Sequence, residues 1–414
     1  MSSASPPFPP SGSFLKSIRE SSQLLCEKSN VRVTEVAIKR LLFSQAFAIS
    51  FKRVSAFHGL AFPLKFASTL AELNLLSVLS LLNFASGYRI QLHTETGRGA
   101  WDNIRLLIFS LFLTSSTGGE GDLLSARGMQ DIQEQKVAEL MRVSLHVERP
   151  HESIPGVTVG EIGGPMHELV KLITGTLNET GLILVGAGYP DLGSFVLEAL
   201  QEGEKAKSKD KIGADVDVIL EQLVRAIPAF RDMSVVDGQP IYCFKKALFL
   251  IHAVLIRFGS MSPPPFPIPD TSQVPVFTDN VLPSLLIHLG VIDLSSASHG
   301  LEYKFPDAGS LDKLSSLLAE ASPCTDTDNA PKAIPPEGPT LTVNQSYILR
   351  AAAIHACELI VDVARSPDIE LPENLEWIRD ITLPLLDMWL WSVAKDRPDY
   401  RQLERFALKN TVFF

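Results

Sequence analysis

Cysteine is scarce in this chain, and basic residues do not outnumber acidic ones. The 414 residues contain four cysteines, none in a CxxC pair, at Cys26, Cys243, Cys324 and Cys357. This wide spacing excludes a zinc ribbon and is typical of reduced thiols, so we expect a cytoplasmic protein. The net charge of −10 disfavours a general nucleic-acid binder, which needs a basic surface against phosphates, and no direct nucleic-acid partner is expected.

A long hydrophobic run is also missing. Residues 1–13 are rich in Pro and Ser without the apolar centre of a signal peptide, and we expect a disordered tail there. The longest apolar stretch, residues 73–85, is short and is interrupted by Asn74, Ser77, Ser80 and Asn83. It therefore predicts a buried helix rather than a membrane span, and no membrane partner is expected.

The common cofactor and metal motifs are absent from the sequence. In LILVGAGYPDLG (182–193) the glycines depart from GxGxxG spacing, and Asp191 takes the place of the third glycine, which favours a turn between helices. The pair His167-Glu168 begins an HExxH-like pattern, but its fifth position is Lys171. We therefore expect neither a metal nor a cofactor.

Apolar residues recur at three- and four-residue intervals through most of the chain, which predicts helix. Alternating, strand-like patterns are scattered pieces such as YRIQLHTETG (88–97). Because composition does not change across the breaks, we expect a mainly α protein with one large helical domain over residues 14–414 and a few short strands. Three charged or Pro-rich segments are expected to be flexible inserts: residues 202–213, 259–275 and 322–339.

Three charged residues lie next to apolar helices. Lys245 opens the helix KKALFLIHAVLI, where a solvated helix end is the simpler explanation although the positive end of a helix disfavours a lysine. Asp279, in VFTDNVLPSLL, suits an N-cap. Asp387 lies in PLLDMWLW, where burying an unpaired charge is costly, so either a buried Lys or Arg pairs with it or it faces a ligand.

An amide and two aromatic side chains stand near the ends of apolar helices. Asn83 and Phe84 follow the apolar stretch described above, and Trp101 follows the Gly-rich turn TGRGAW. These residue types can bind a flat heterocycle through edge hydrogen bonds and stacking. They are also ordinary constituents of a core, so the residues alone leave both interpretations open.

Taken together, these segments resemble the queuosine salvage protein family, the queuosine 5′-phosphate N-glycosidases. The resemblance is carried, in order, by ESSQLLCEKSNVRV (20–33), LNF (82–84), GAW (99–101), LNETG (177–181), FRD (230–232), FKKA (244–247), FTDNVLPSLLIHLG (277–290), LRAAAIHACELI (349–360) and LLDMWLW (385–391). It implies a helical single-domain fold related to DNA glycosylases, and we expect a monomer. It also implies hydrolysis of queuosine 5′-monophosphate to queuine and ribose 5-phosphate.

The resemblance further implies roles for individual residues. Asp279 takes the place of the catalytic aspartate, and Lys245 takes the place of its active-site partner. Asp387 takes the place of a ligand-binding carboxylate, which suits the cationic secondary amine of queuine. Phe84 and Trp101 are expected to sandwich the base. The full set of expected substrate-binding residues is Asn83, Phe84, Trp101, Asp387 and Trp391.

The chemistry of the implied substrate fits these residue types. Queuine is a 7-deazaguanine, so it lacks the ring nitrogen whose protonation makes a purine a better leaving group. Catalysis must then stabilise positive charge at the ribose, and a carboxylate below the sugar does this while it orients or deprotonates a water. Charge pairing with Lys245 would keep Asp279 ionised.

The chain departs from the family pattern at several polar positions. Ser80 and Ser392 stand where relatives carry acids, Leu248 replaces a glutamine, and the C-terminal LKNTVFF lacks a His/Arg pattern. These departures leave three rival functions open. They are a catalytically impaired binder of queuine or deazapurines, a helical scaffold without a ligand, and a nucleoside hydrolase of other base specificity.

Overall fold

The computed structural model describes residues 6–55, 59–117, 121–207, 212–320, 334 and 336–414. Helices dominate these residues and the sheets among them are short and two-stranded, which confirms the predicted mainly α fold. Most of the predicted insert at 322–339 and part of the one at 202–213 lie outside the described residues. The single domain over residues 14–414 stays a prediction.

Seventeen α-helices are formed by the described residues. They are α1 Phe14–Lys28, α2 Glu35–Leu42, α3 Gln45–Val54, α4 Thr69–Leu81, α5 Arg89–Thr96, α6 Ala100–Thr117, α7 Ala126–Asp131, α8 Glu134–Met141, α9 Gly164–Ala187, α10 Leu192–Ala206, α11 Ala214–Ala226, α12 Lys245–Phe258, α13 Val281–His288, α14 Leu311–Leu318, α15 Val343–Arg365, α16 Leu383–Asp396 and α17 Pro398–Arg401. Short 3-10 helices cover Ser86–Tyr88, Pro228–Phe230, Leu301–Tyr303 and Glu373–Asp380.

Three antiparallel strand pairs join distant or neighbouring segments. They are β1 Arg32–Val33 with β6 Ile292–Asp293, β2 His146–Pro150 with β3 Thr158–Ile162, and β4 Met233–Val236 with β5 Gln239–Tyr242. In the last pair Met233 lies opposite Tyr242. The strands β4 and β5 turn through Asp237 and Gly238, both with positive φ, as a two-residue hairpin turn requires. This hairpin brings residue 232 back beside the start of α12.

Helix α4 lies in the centre of the fold. All its residues from Glu72 to Leu81 are buried, and it packs against α6, α10 and α12. Its buried Asn74 is satisfied, because the amide donates to the carbonyl of Leu124 at 3.0 Å and accepts from the backbone of Gly193 at 3.0 Å. The prediction of a buried helix over this stretch is confirmed.

The glycine-containing segment 182–193 is a turn between two helices, as predicted. Helix α9 ends at Ala187, and Gly188 follows it with φ of 81° in the left-handed conformation that commonly closes a helix. The carboxylate of Asp191 then accepts from the backbone N–H of Ser194 at 2.7 Å and caps α10. The segment therefore has no Rossmann-type geometry.

Two local predictions were wrong. Residues 88–97, predicted as a strand or hairpin, form a 3-10 turn and α5, which ends at Gly97 with φ of 71°. The polar residues of this segment lie on the more exposed side of a short helix, so their alternation was not a strand signal.

Residues 6–13 of the expected disordered tail pack on the fold. The Pro7 carbonyl accepts from the Tyr242 hydroxyl at 2.8 Å, and the Phe8 ring lies under the Arg225 guanidinium.

The Pro-rich segment 259–275 contains no helix or strand, as predicted. It is nevertheless anchored, because Phe266, Thr271 and Val274 are buried. The Thr271 hydroxyl lies 2.8 Å from Nδ1 of His252 on α12. This segment therefore differs from the flexible insert that its composition indicated.

One described helix, α9, has the length and hydropathy of a membrane span. Half of its apolar window, 50%, is buried within the fold, and it packs against α7. Helix α4 and the segment Ser86–Thr96 pass the same test only as a pair that bends by 62°. Core helices have these properties too, so the absence of a membrane partner stays a prediction.

Candidate active site

Lys245 is the first residue of α12, and an unusual turn places it there. Phe244, just before it, has φ of 47° and lies in the left-handed region, which is strained for a bulky side chain. The side chain of Lys245 is only 5% exposed, and its Nζ donates to the backbone carbonyl of Asn83 at 2.6 Å. The solvated helix end considered from the sequence is therefore wrong for this lysine.

Asp279 lies two residues before α13 and is 7% exposed. Its Oδ1 accepts from the backbone N–H of Val281 at 2.6 Å, so the carboxylate satisfies an amide at the helix start, although the N-cap residue is Asn280 and not Asp279 as predicted. The same side chain also lines a cavity. A bond to the helix start and a cavity-facing position are thus combined, and the hydrogen bond fixes the orientation of the carboxylate.

Asp387 lies on α16 and is 4% exposed. Its Oδ2 accepts from the backbone N–H of Phe277 at 2.7 Å. Burial raises the pKa of this carboxyl to about 7, and the nearby Asp279 raises it further, whereas the hydrogen bond from Phe277 and the charge of Lys245 act in the opposite direction. A cationic ligand would stabilise the ionised form of a buried carboxyl whose pKa lies near neutral pH.

A cavity of about 380 Å³, including its open mouth, unites most of the predicted site. Its lining residues come from the end of α4, from α6, α12 and α16, and from the turn before α13. They are Asn83, Trp101, Lys245, Phe249, Phe277, Asp279, Asp387, Met388 and Trp391.

Phe84 is the one predicted substrate-binding residue that does not line this cavity. It is 3% exposed, and the ammonium of Lys246 lies 5.0 Å from its ring centre. Lys246 itself donates to the carbonyl of Leu81 at 2.6 Å, at the C-terminal end of α4. The expected sandwich of a base between Phe84 and Trp101 is therefore not formed.

Aromatic rings at right angles form the apolar walls of the cavity. Trp101 and Trp391 have ring centres 5.9 Å apart and planes inclined by 89°, and Trp101 meets Phe249 at 5.9 Å and 83°. Phe249 in turn meets Phe277 at 6.1 Å and 84°. Perpendicular walls offer a flat ligand the face of one ring and the edge of the next.

Burial, modified by the surrounding charges, brings the pKa of Lys245 close to neutral pH. Burial lowers the pKa of its ammonium to about 8, and Asp279 opposes this decrease most strongly. Arg350 lowers the pKa further, whereas Asp232 and Asp387 raise it. Because about 8 is above neutral pH, most Lys245 side chains are protonated at pH 7.

Two further cations lie near the cavity, and the sequence analysis missed both. The Nζ of Lys395 is 3.0 Å from the ring centre of Trp391, and burial lowers its pKa to about 7, with Asp102 opposing most strongly. Arg405 donates to the carbonyl of Ala394 at 2.7 Å, and burial lowers its pKa to about 10 while Asp279 raises it.

Lys395 could have been found from its spacing. Residues 387, 391 and 395 follow one another at intervals of four, so they share one face of α16. Nothing in the local sequence marks Arg405, which lies after α17 in an irregular segment. Among the described residues, no group of three or more His, Cys, Asp or Glu is placed to hold a metal ion.

A protein-family model provides independent support for the sequence resemblance. The model described as "Queuosine salvage protein" matches residues 190–304, which include Lys245, Asp279 and the hairpin before α12. No curated protein matches the chain. The cavity residues on α6 and α16 lie outside the matched segment. The match supports the predicted resemblance to the queuosine salvage proteins over residues 190–304.

Proposed function

We propose that this protein is an N-glycosidase that hydrolyses queuosine 5′-monophosphate to queuine and ribose 5-phosphate in queuine salvage. The observation that carries the proposal is the cavity in which Asp279, Lys245 and Asp387 meet between Trp101 and Trp391. Two acids, one amine and two perpendicular indoles are the groups that a sugar cation and a flat base require.

Asp279 is the proposed catalytic carboxylate. Its Oδ1 is held by the Val281 N–H, so the carboxylate keeps one orientation toward the cavity. In the reaction water adds its oxygen to the anomeric carbon and the bond from that carbon to the base nitrogen breaks. The base nitrogen takes up one proton from solvent, which balances the proton that Asp279 accepts from the water and later releases. The carboxylate stabilises the positive charge that develops on the ribose and accepts a proton from the attacking water.

Lys245 is the proposed cationic partner of Asp279. The two groups interact electrostatically, since Asp279 raises the pKa of Lys245 against the effect of burial. The anchor of Lys245 on the Asn83 carbonyl limits its movement, so the positive charge stays at the cavity. This pre-organisation removes the need to reorient solvent when charge develops.

Asp387, Trp101 and Trp391 are proposed to bind the base. The cationic secondary amine of queuine would favour the ionised form of Asp387, whose proton is released to solvent, and would donate a charge-assisted hydrogen bond to the carboxylate. Lys395 and Arg405 place positive charge on the same side of the fold as Asp279, which supports a substrate that carries a phosphate. Loss of the predicted Phe84 contact is compensated by Trp391, whose ring meets that of Trp101.

Three of the departures from the family pattern lie outside the cavity lining. Ser80 donates to the carbonyl of Leu76 within α4 at 2.8 Å, and Ser392 is buried on α16. Leu248 is fully buried. None of the three lines the cavity, so they give no support to a binder without activity.

The proposed setting is the cytosol. The three described cysteines, Cys26, Cys243 and Cys357, are unpaired and buried. Burial raises the pKa of the Cys26 and Cys243 thiols to about 12, which keeps them protonated. Reduced, unreactive thiols of this kind support an intracellular location.

One incubation tests the proposed function. The purified protein is mixed with queuosine 5′-monophosphate, and chromatography measures free queuine over time. Asp279→Asn keeps the shape and the hydrogen bond to Val281 but removes the charge, and we expect its kcat to fall at least about 1000-fold. Absence of queuine release by the unmodified protein would refute the proposal.

A matched control separates charge in the cavity from capping in general. Asp293 accepts from the backbone N–H of Ser295 at 2.8 Å, the same local hydrogen bond as that of Asp279, but it is exposed. Asp293→Asn should leave kcat within about twofold, because surface substitutions rarely propagate. Equal losses in the two variants would show that the cavity carboxylate has no special role.

A further inference from the structure

A buried arginine links the two turns that carry Lys245 and Asp279. Arg350, on α15, has no exposed side-chain surface. Its Nη1 donates to Oδ1 of Asp232 at 2.9 Å, its Nη2 donates to Oδ2 of the same carboxylate, and its Nε donates to the carbonyl of Thr278 at 3.0 Å. Three hydrogen bonds thus fix the guanidinium plane between two segments of the chain.

The first segment is the turn that starts α12. Asp232 accepts the backbone N–H of Lys245 on Oδ2 at 3.2 Å, and its carbonyl accepts the backbone N–H groups of Cys243 at 3.0 Å and Phe244 at 3.2 Å. These bonds surround Phe244, whose left-handed backbone is costly for an aromatic residue. Asp232 therefore holds in place the strained turn from which the Lys245 side chain enters the cavity.

The second segment is the turn before α13. The Thr278 carbonyl that receives Nε of Arg350 belongs to the residue immediately before Asp279. Thr278 is fully buried, and Asp279 is in turn bound to the N–H of Val281. A shift of Arg350 would therefore move the peptide that carries the proposed catalytic carboxylate.

Two aromatic rings, those of Phe414 and Tyr347, lie close to the Arg350 guanidinium. The guanidinium carbon lies 4.5 Å from the ring centre of Phe414 and 5.2 Å from that of Tyr347. The Tyr347 hydroxyl also donates to Oδ1 of Asp232 at 3.1 Å. Only a planar group with several donors can stack in this way and reach both segments at once, and lysine lacks that geometry.

We propose that Arg350 is a positioning residue that sets the geometry between Lys245 and Asp279 by joining Asp232 to the Thr278 carbonyl. The inference rests on the proposed function, because it assigns to Arg350 the alignment of that site. Arg350 does not line the cavity and is not expected to touch the substrate. Its loss should reduce the rate of the chemical step while substrate binding persists.

The test compares Arg350→Lys with the unmodified protein. Lysine keeps the buried positive charge beside Asp232 but cannot also hold Thr278, so we expect a folded variant with kcat reduced about 100-fold, the scale of a small misalignment. KM should change less than about threefold. Circular dichroism and thermal melting establish that the variant is folded before kinetics are measured.

Two control variants address alternative explanations. Arg379→Lys removes a comparable guanidinium, which bridges Glu376 and the carbonyls of Ser366 and Ile369 away from the cavity, and it should leave kcat within about twofold. Tyr347→Phe removes one hydrogen bond to Asp232 but keeps the link from Arg350 to Thr278. Its kcat should stay within about threefold.

A second measurement does not depend on activity. Hydrogen–deuterium exchange followed by mass spectrometry should show faster exchange in both peptides 240–248 and 276–283 of Arg350→Lys, and in neither peptide of Arg379→Lys. A folded Arg350→Lys variant with unchanged kcat, or with only one loosened peptide, overturns the positioning role. If the unmodified protein releases no queuine but both peptides loosen, the structural link stands and the proposed function falls.

Discussion

Two buried groups of charges meet at Lys245, and they differ in how completely they are satisfied. On one side, Asp232 and Arg350 are fully buried and joined by two hydrogen bonds, with Tyr347 and the Lys245 backbone as further donors to the carboxylate. On the cavity side, Asp279 and Asp387 each accept one backbone hydrogen bond, and the Lys245 ammonium donates to one carbonyl.

The difference between these groups distinguishes structural charge from functional charge. A buried pair held by several hydrogen bonds is costly to break and leaves little charge for a ligand. In the cavity, burial moves the pKa of Asp387 up to about 7 and that of Lys245 down to about 8, so each can change its protonation near neutral pH. Incomplete pairing is therefore the property that marks the candidate active site.

The largest expected effect comes from breaking the closed pair. Asp232→Asn leaves the Arg350 charge buried without its partner, and we expect the free energy of unfolding to fall by about 3 to 5 kcal/mol. Urea denaturation followed by fluorescence measures this loss. Glu376→Gln, which removes the exposed partner of Arg379, is the control and should cost less than about 1 kcal/mol. A similar small loss for Asp232→Asn would contradict the structural role of the pair.

The second prediction concerns two adjacent lysines with different surroundings. Lys245→Met should lower kcat about 100-fold, because the cavity loses its fixed cation beside Asp279. Lys246→Met serves as the matched control, since Lys246 bonds to Leu81 under the Phe84 ring and does not line the cavity. Its kcat should stay within about threefold. Steady-state release of queuine measures kcat for both variants. An equal loss of kcat in Lys246→Met would show that the cavity position of Lys245 has no special role.

The third prediction separates stability from binding at Asp387. Burial raises the folded-state pKa above the ordinary 3.8, so the folded state holds this proton more tightly and its stability falls as pH rises between about 4 and about 7. Asp387→Asn removes that cost, and at pH 8 we expect unfolding to require roughly 2 kcal/mol more. The same variant should raise KM at least about tenfold. Thermal melting and kinetics at pH 8 should therefore move in opposite directions.

The smallest expected effect is the pH dependence of the unmodified protein. If Asp387 must be ionised and Lys245 protonated, kcat/KM should be maximal between about 7 and about 8. It should fall on the acid side as Asp387 gains a proton and on the alkaline side as Lys245 loses one. Asp387→Asn should lack the acid limb. An acid limb that persists in that variant would assign it to another group.

Much of the fold was predictable because helical periodicity is local. The regular apolar spacing of KKALFLIHAVLI predicted α12, and this helix was confirmed. The polar alternation at residues 88–97 gave a wrong prediction, because the short, partly exposed helix there carries few apolar residues. The order of residues 6–13 depends on contacts with Tyr242 and Arg225, which are far away in sequence.

The candidate site was predictable mainly through the family resemblance. Lys245, Asp279 and Asp387 are single residues whose local patterns suit caps and helix ends equally well, and only their meeting in space distinguishes them. Phe84 directly follows Asn83, yet the two side chains diverge because the chain leaves α4 at this point. Arg350 lies 118 positions from Asp232, so no local signal could reveal their bond.

The face of α16 that carries residues 387, 391 and 395 sets fixed distances between these residues along the helix axis. Each interval of four residues advances about 6 Å along a helix, so the acid and the amine are separated by about 12 Å of axis with an indole midway. Because the Lys395 ammonium lies over the Trp391 ring, a molecule that engages both charged groups spans less than this axial distance. Inserting or deleting one residue between Asp387 and Lys395 would rotate Lys395 about the helix axis by about 100° relative to Asp387, and this would change which molecules fit.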